Sequence, residues 1–248
     1  MSAFDQPASA APEPCLPRVA ATIGLHASAS TWVFNVARRL MISARGEASV
    51  THVYADRISE LPDAPAPHML VKSHHGGVEL DAWLRARRAT LILSIRDPRD
   101  AALSMTQRFE APLQHTAMWI RNDCDRLLKL LPDNSLLLKY EDRYFENPAS
   151  IDRIAQCLDL PADRDLVNDI FDEFRAESVR DFASRLSQLP GERIVMVGKF
   201  PMDRVTQILA PHIGDGRSGK WRDLPPPVQQ QMTEFYRPFL ERFDYPLS

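Results

Sequence analysis

One stretch constrains this chain more than any other: Ile23-Gly24-Leu25-His26-Ala27-Ser28-Ala29-Ser30-Thr31-Trp32. An apolar run over 19–23 leads into it. Val33, Val36, Ala37, Leu40 and Met41 follow at helical spacing. A strand, a tight loop of small residues and a helix N-terminus together make an anion site. The first N–H groups of the helix point into the turn, and the helix dipole favours negative charge there. The hydroxyls of Ser28, Ser30 and Thr31 add donors, so the loop is expected to hold a phosphate. The same residues also suit an ordinary strand-to-helix turn with Ser as N-cap. The rest of the chain decides between the two.

The loop is not a standard P-loop. That motif needs a second glycine, and a lysine before the final Ser or Thr. Ser30 stands at the lysine position and Ala29 at the glycine position, while Gly24 keeps its place. The missing lysine counts against a phosphotransferase of the P-loop kinase kind, as does the lack of a Mg²⁺ motif.

Further apolar runs predict strands over 18–24, 50–54, 68–72, 90–95 and 135–140. Helical spacing falls between them, over 30–44, 78–87, 98–109, 113–131 and 147–158. This alternation predicts an α/β fold: one central parallel sheet with helices on both faces, P-loop-like in its nucleotide site. Beyond Pro161 the sequence reads as amphipathic helix over 166–174 and 179–186. A basic, glycine-rich flap spans 211–223, and a last helix covers 228–243. Residues 1–17, rich in Ala, Pro and Ser, read as a disordered tail before a single domain over 18–248.

Composition narrows the function classes. With 44% hydrophobic and 25% charged residues, the chain reads as a soluble globular protein. A net charge of −3 argues against a nucleic-acid partner. Cys15, Cys124 and Cys157 are widely spaced and form no CxxC pair, which suggests reduced thiols and a cytoplasmic location. No apolar run is long enough to span a bilayer, and no signal peptide is visible. No metal is implied, since His74 and His75 are adjacent with no third ligand at useful spacing.

In parallel α/β folds, ligands bind beyond the carboxyl ends of the strands. Three predicted strands end there in polar clusters: the Ser/Thr loop, Lys72-Ser73-His74, and Arg96. A cap by Asp97 with Pro98 at the first helical position starts the helix after Arg96.

Taken in order, these segments resemble the sulfotransferases that use 3′-phosphoadenosine 5′-phosphosulfate (PAPS) and release its desulfated form, PAP. Ser28-Ala29-Ser30-Thr31-Trp32 resembles the 5′-phosphosulfate loop, usually Pro-Lys/Arg-Ser-Gly-Ser/Thr-Thr-Trp. Lys72-Ser73-His74 resembles the segment that carries the base. Arg96-Asp97-Pro98-Arg99-Asp100-Ala101-Ala102-Leu103-Ser104 matches the 3′-phosphate segment, the most specific of the set. Gly216-Arg217-Ser218-Gly219-Lys220-Trp221 resembles the C-terminal flap, and Leu138-Lys139-Tyr140-Glu141-Asp142 the usual Tyr-Glu-Asp strand end.

The resemblance implies transfer of a sulfuryl group from PAPS to an acceptor hydroxyl or amine by in-line displacement, without a metal. His74 is implied as the base, with Lys72 against the charge on the leaving group. Ser28, Ala29, Ser30 and Thr31 would grip the 5′-phosphate, and Trp32 and Phe182 would cover adenine. Arg96 and Ser104 would hold the 3′-phosphate, with Arg217, Ser218 and Gly219 closing over it. Local alternatives stand beside three of these roles: His74 capping its own turn, Arg96 paired with Asp100, and Trp32 as core.

Two departures from the pattern matter. Ala27 replaces the loop Lys or Arg, with His26 where Pro is usual. Gly214-Asp215-Gly216 replaces Arg-Lys-Gly in the flap, where Asp215 would oppose a phosphate, so that role passes to Arg217. A non-catalytic protein that binds PAP or PAPS is therefore the alternative. The acceptor is left open between a small molecule, a glycan and a lipid. So is the oligomeric state, because the family's Lys-x-x-x-Thr-Val dimer motif is not found.

Overall fold

Strands form where the apolar runs fall, and their order brings three polar strand ends together. In the computed structural model, β1 (Arg18–Gly24), β2 (Val50–Tyr54), β3 (His68–Ser73), β4 (Thr90–Ile95) and β5 (Leu136–Lys139) make one sheet. Every pairing in it is parallel, in the order β2-β3-β1-β4-β5. The structure describes residues 18–130, 135–211 and 213–248; the tail read over 1–17, with Cys15, lies outside them. β1 is central, so its carboxyl end has β3 on one side and β4 on the other, with Ile23 beside Ser73 and Gly24 beside Ser94.

The period of two along β1 sends alternate side chains to two cores. Val19, Ala21 and Ile23 pack with Met69, Val71, Leu91 and Leu93. Ala20 packs on the other face with Leu70, Ile92 and Leu138. The first face is covered by α2 (Val78–Ala86), α3 (Pro98–Phe109), α4 (Leu113–Leu130) and α8 (Pro226–Arg242). The second is covered by α1 (Ser30–Arg45), α5 (Ala149–Cys157), α6 (Arg164–Phe174) and α7 (Ala176–Ser184). Burial on both faces is why these strands read as continuous apolar runs. The sheet with helices on both sides is thus the architecture expected from the alternation.

Local signals set the helix ends. The Asp97 side chain accepts the Arg99 N–H at 3.0 Å, with Pro98 at the first position of α3. Gly46 ends α1 at φ +82°, its N–H returning to the Ile42 carbonyl.

One element lies in a stretch, between 186 and 211, to which the sequence reading assigns none. β6 (Ile194–Val197) and β7 (Phe200–Asp203) form an antiparallel hairpin. Four residues per strand are too few for a period to declare itself. The turn Gly198-Lys199, with Gly198 at φ +60°, is the signal that was present. Asp203 anchors the hairpin from a buried position, bound by Arg193 at 2.8 Å and by the Thr206 hydroxyl at 2.7 Å.

Candidate active site

A cavity of about 770 Å³ opens beyond the carboxyl ends of β1, β3 and β4. Its floor is the loop between β1 and α1. Gly24 begins that loop where a Cβ would meet Ser94 Oγ at 2.3 Å and Ser30 Cβ at 2.5 Å, so no other residue fits. Ala27 and Ala29 both take left-handed backbone, with φ +60° and +61°. Ala29 is the N-cap of α1 and offers no side-chain cap. The N–H groups of Ser30 and Thr31 are therefore left to whatever enters the cavity, while that of Trp32 returns to the Ala29 carbonyl at 3.0 Å.

Ser30, Thr31 and Trp32 line the cavity as expected, but Ser28 does not. Its hydroxyl donates to the Leu25 carbonyl at 2.6 Å and its N–H to the same oxygen at 3.2 Å. Both donors are spent on the turn, so Ser28 shapes the loop and has no hydrogen left for a phosphate. Trp32 is buried in the α1 core beside Tyr144, at 5.6 Å between ring centroids, and also reaches the cavity wall.

At the end of β3, Lys72 Nζ donates to Thr31 Oγ1 at 2.6 Å. Lys72 is buried without a carboxylate partner. Burial, with the Arg108 guanidinium adding to it, brings its pKa down to about 7. His74 is buried next to it. The His74 Nδ1 lies 2.5 Å from the Gly24 carbonyl oxygen. A carbonyl can only accept, so Nδ1 carries the proton and Nε2 keeps its lone pair. Nε2 lies 3.4 Å from Ser30 Oγ. Burial and the neighbouring His26 and Lys72 push the His74 pKa well down, so the ring is neutral at pH 7.

The turn that carries His74 is held on both sides. Asp56 accepts the His74 and His75 N–H groups, each at 2.9 Å, and the Ser73 hydroxyl at 2.7 Å. Arg126 donates to Ser73 Oγ at 2.7 Å and to the His74 carbonyl at 2.9 Å, while pairing with Asp81. At Gly76 a Cβ would stand 2.2 Å from the Arg126 guanidinium, so the turn passes as close as a backbone can.

Arg96, at the end of β4, spans the cavity's other end. Its terminal nitrogens donate to the carbonyls of Ala27 at 3.0 Å and Arg217 at 2.9 Å. The guanidinium stacks over Tyr140 at 4.0 Å, and its Nε is buried without a partner. Glu141, next along, accepts the Asp97 N–H at 3.0 Å, which ties the end of β5 to the same segment. Arg96 does not pair with Asp100: that carboxylate accepts the flap N–H groups of Gly219 and Trp221. Arg99 is wholly buried, bound to Asp97 at 2.7 Å and stacked on Trp221 at 3.5 Å. Half of the Arg-Asp-Pro-Arg-Asp segment is thus structural.

Ser104 lines the cavity, and so does Arg108 one turn further along α3. Burial and the nearby Arg96 lower the Arg108 pKa to about 10. Its four-residue spacing from Ser104 was the available signal for it.

The flap differs from the sequence reading. The Arg217 side chain turns away to pair with Asp223, and neither it nor Ser218 nor Gly219 lines the cavity. Lys220 does, with Asp215 paired to it at 2.6 Å. Asp215 therefore carries a cation to the wall instead of opposing an anion alone. Phe182 packs partly buried against the α1 core and does not reach the cavity, whereas Val179 and Arg180 on the same helix do. Phe109, Phe171 and Phe174 add apolar wall.

A cluster that spacing could not reveal stands beside His74. His26, from the β1 loop, stacks on His74 at 3.9 Å between centroids and lies tilted against His75 at 4.6 Å. Asp123 of α4 lies 2.7 Å from His26 Nδ1 and 3.0 Å from His75 Nδ1. Burial pushes the Asp123 pKa up, but the two imidazoles outweigh it and hold the carboxyl well below the usual range. The Asp123 carboxylate, close to its ring, raises the His75 pKa. The ligand atoms of His26, His75 and Asp123 lie within 4.8 Å of one another, so the third ligand absent from the sequence pattern is supplied by the fold.

This geometry sits on a known architecture. The chain has the α/β sulfotransferase fold, with the P-loop-like site at the central strand. It matches the mouse sulfotransferase SULT7A1 complexed with PAP at a TM-score of 0.64 and 14% identity, over 92% of this chain and 85% of that one. Retinol dehydratase in complex with androsterone and the inactive cofactor PAP matches at 0.61 and 14%, over 91% and 82%. The same enzyme with retinol and PAP matches at 0.59 and 15%, over 92% and 82%. No protein-family model and no curated protein matches the sequence. Among the described residues, no helix is long and apolar enough to cross a membrane.

Proposed function

We propose that the protein is a PAPS-dependent sulfotransferase that moves a sulfuryl group to the hydroxyl or amine of an acceptor. One observation carries the reading. In this fold, a bare helix N-terminus, Lys72 and Arg96 converge on one cavity with a neutral imidazole whose tautomer is fixed. The buried, unpartnered Nε of Arg96 supports an anion at that end.

The residues divide the chemistry in the usual way for group transfer, by position and charge. Ser30, Thr31 and the first turn of α1 hold the 5′-phosphosulfate. Arg96 and Ser104 hold the 3′-phosphate. The acceptor oxygen attacks sulfur and its proton passes to Nε2 of His74. The bond from sulfur to the bridging oxygen breaks, and its electron pair leaves with the 5′-phosphate of PAP. Lys72 opposes that charge. The Phe109, Phe171 and Phe174 walls favour a small, partly apolar acceptor, as the androsterone and retinol of the structural neighbours are.

His74→Ala is expected to lower release of PAP from PAPS by about 10²-fold or more, with PAP affinity by calorimetry unchanged. Equal turnover in the variant would remove His74 from the mechanism. Ala27, which lacks the loop cation, favours a second reading as a non-catalytic PAP-binding protein. Stabilisation by PAP with no turnover of PAPS against a panel of phenols, alcohols and amines would decide for it.

A further inference from the structure

The sulfuryl-transfer reading leaves one imidazole of the cavity without a task. His26 lines the same wall as His74, its ring nearly parallel to it at 25°. Its Nδ1 lies 2.7 Å from Asp123 Oδ2, and its main-chain N–H donates to the same oxygen at 2.8 Å. The ionised carboxylate can only accept, so Nδ1 holds a proton and Nε2 is left with a lone pair. Among the described residues nothing binds Nε2.

The carboxylate is a costly feature. Asp123 is wholly buried, and an uncompensated buried charge costs several kcal/mol. Its compensation comes from the two cavity imidazoles, His26 at 2.7 Å and His75 at 3.0 Å. A buried carboxylate behind an imidazole fixes its tautomer and stabilises the imidazolium formed on proton uptake. The other charged or titratable groups around the pair are His74, Lys72 of β3, Tyr54 of β2, Asp56 after it, Cys124 and Arg126 of α4, and Tyr236 of α8.

We propose that His26 and Asp123 form a second proton-accepting dyad in this site, working in parallel with His74. The proposal rests on the sulfuryl-transfer reading. In its step the acceptor's proton passes to His26 Nε2 as the new bond to sulfur forms. The bond from sulfur to the bridging oxygen breaks, and that electron pair leaves on the phosphate of PAP. The imidazolium then sits against Asp123 until solvent takes the proton. The spacing suits a hydrogen bond better than a shared ion. Tetrahedral zinc ligands at about 2.1 Å from the metal stand about 3.4 Å apart, well beyond the 2.7 Å between Nδ1 and Oδ2.

His26→Asn tests the dyad, because the amide can still donate to Asp123 while Nε2 is gone. With parallel routes the effect is read in the His74→Ala background, where adding His26→Asn should leave PAP affinity and thermal midpoint unchanged. His74→Ala should retain residual turnover, and His74→Ala with His26→Asn should fall at least about tenfold below it. Nitrogen-15 NMR of the wild-type imidazole should show the neutral ring protonated at Nδ1, with the lone pair on Nε2. A double variant no slower than His74→Ala would overturn the dyad, as would a neutral ring protonated at Nε2. Stoichiometric zinc whose removal by a chelator abolishes turnover would also overturn it, since the cluster would then be a metal site. Those failures leave wild-type turnover intact or metal-dependent. Wild-type protein that neither binds PAP nor releases it from PAPS would instead sink the sulfuryl-transfer reading and the dyad with it.

Discussion

The two ends of the cavity solve the same problem, holding an anion, by different means. At the β1 and β3 end, charge comes from helix N–H groups and from Lys72, a buried amine whose pKa falls to about 7. At the β4 end it comes from Arg96, a planar guanidinium held by two carbonyls and the Tyr140 ring. The first end is set by neighbouring strands of one sheet. The second is closed by a flap more than a hundred residues away, through Arg96 to the Arg217 carbonyl and Asp100 to the Gly219 and Trp221 N–H groups. One end can adjust its charge; the other can adjust its shape.

The strongest way to break that division is to remove Arg96. Arg96→Ala should weaken PAP binding by about 2–3 kcal/mol, roughly 100-fold, the scale of a charged bidentate phosphate contact. Adenosine 5′-phosphate, which has no 3′-phosphate, should bind the variant and the parent alike. Calorimetry with both nucleotides separates the ends. Equal losses for the two would mean that Arg96 serves the whole cavity through the Ala27 carbonyl.

A smaller effect should mark the opposite end. A phosphate beside Lys72 favours the ammonium, so its pKa in the complex lies above the value of about 7 in the free protein. Binding therefore takes up a proton once the pH exceeds about 7. PAP affinity should fall as pH rises from there, by up to about tenfold per unit until the pKa of the complex is reached. Lys72→Met should bind more weakly below neutrality and lose that slope. A slope that survives in Lys72→Met would assign the proton to another group, of which His75 is the nearest candidate.

The same contrast explains what was legible in the sequence. The strands, the helices between them, and Lys72, His74 and Arg96 could be read because each sits where an apolar run stops. Register alone then brings them together. Asp123 could not be read: it is 97 residues from His26, on the inner face of a helix whose pattern shows only an amphipathic stripe. The Ser28 hydroxyl turns to the Leu25 carbonyl, and a hydroxyl in a loop does not announce in the sequence whether it faces ligand or carbonyl. The flap misled for a related reason. Asp215 and Lys220 meet only when the chain folds back at Gly216 and Gly219, both at positive φ, and without that turn Arg217 was the nearer cation. Phe182 shares α7 with the cavity-lining Val179 and Arg180 but packs against the α1 core, a difference of face that a nine-residue helix does not declare.

The smallest effect tests how rigidly the first end is built. Ala29 holds a left-handed conformation at φ +61° where the resembling loops carry glycine. A Cβ in that region costs roughly 1 kcal/mol, against which glycine's extra freedom in the unfolded chain must be set. Ala29→Gly should therefore change stability by less than about 1 kcal/mol, towards the stable side, as read from urea unfolding. Its effect on PAP should be larger in rate than in affinity, because the helix N–H groups it exposes are already aligned by the turn at Gly24. If the variant is destabilised by more than the glycine entropy term, the alanine methyl packs productively against the α1 core. The loop would then owe its shape to packing and not to backbone preference.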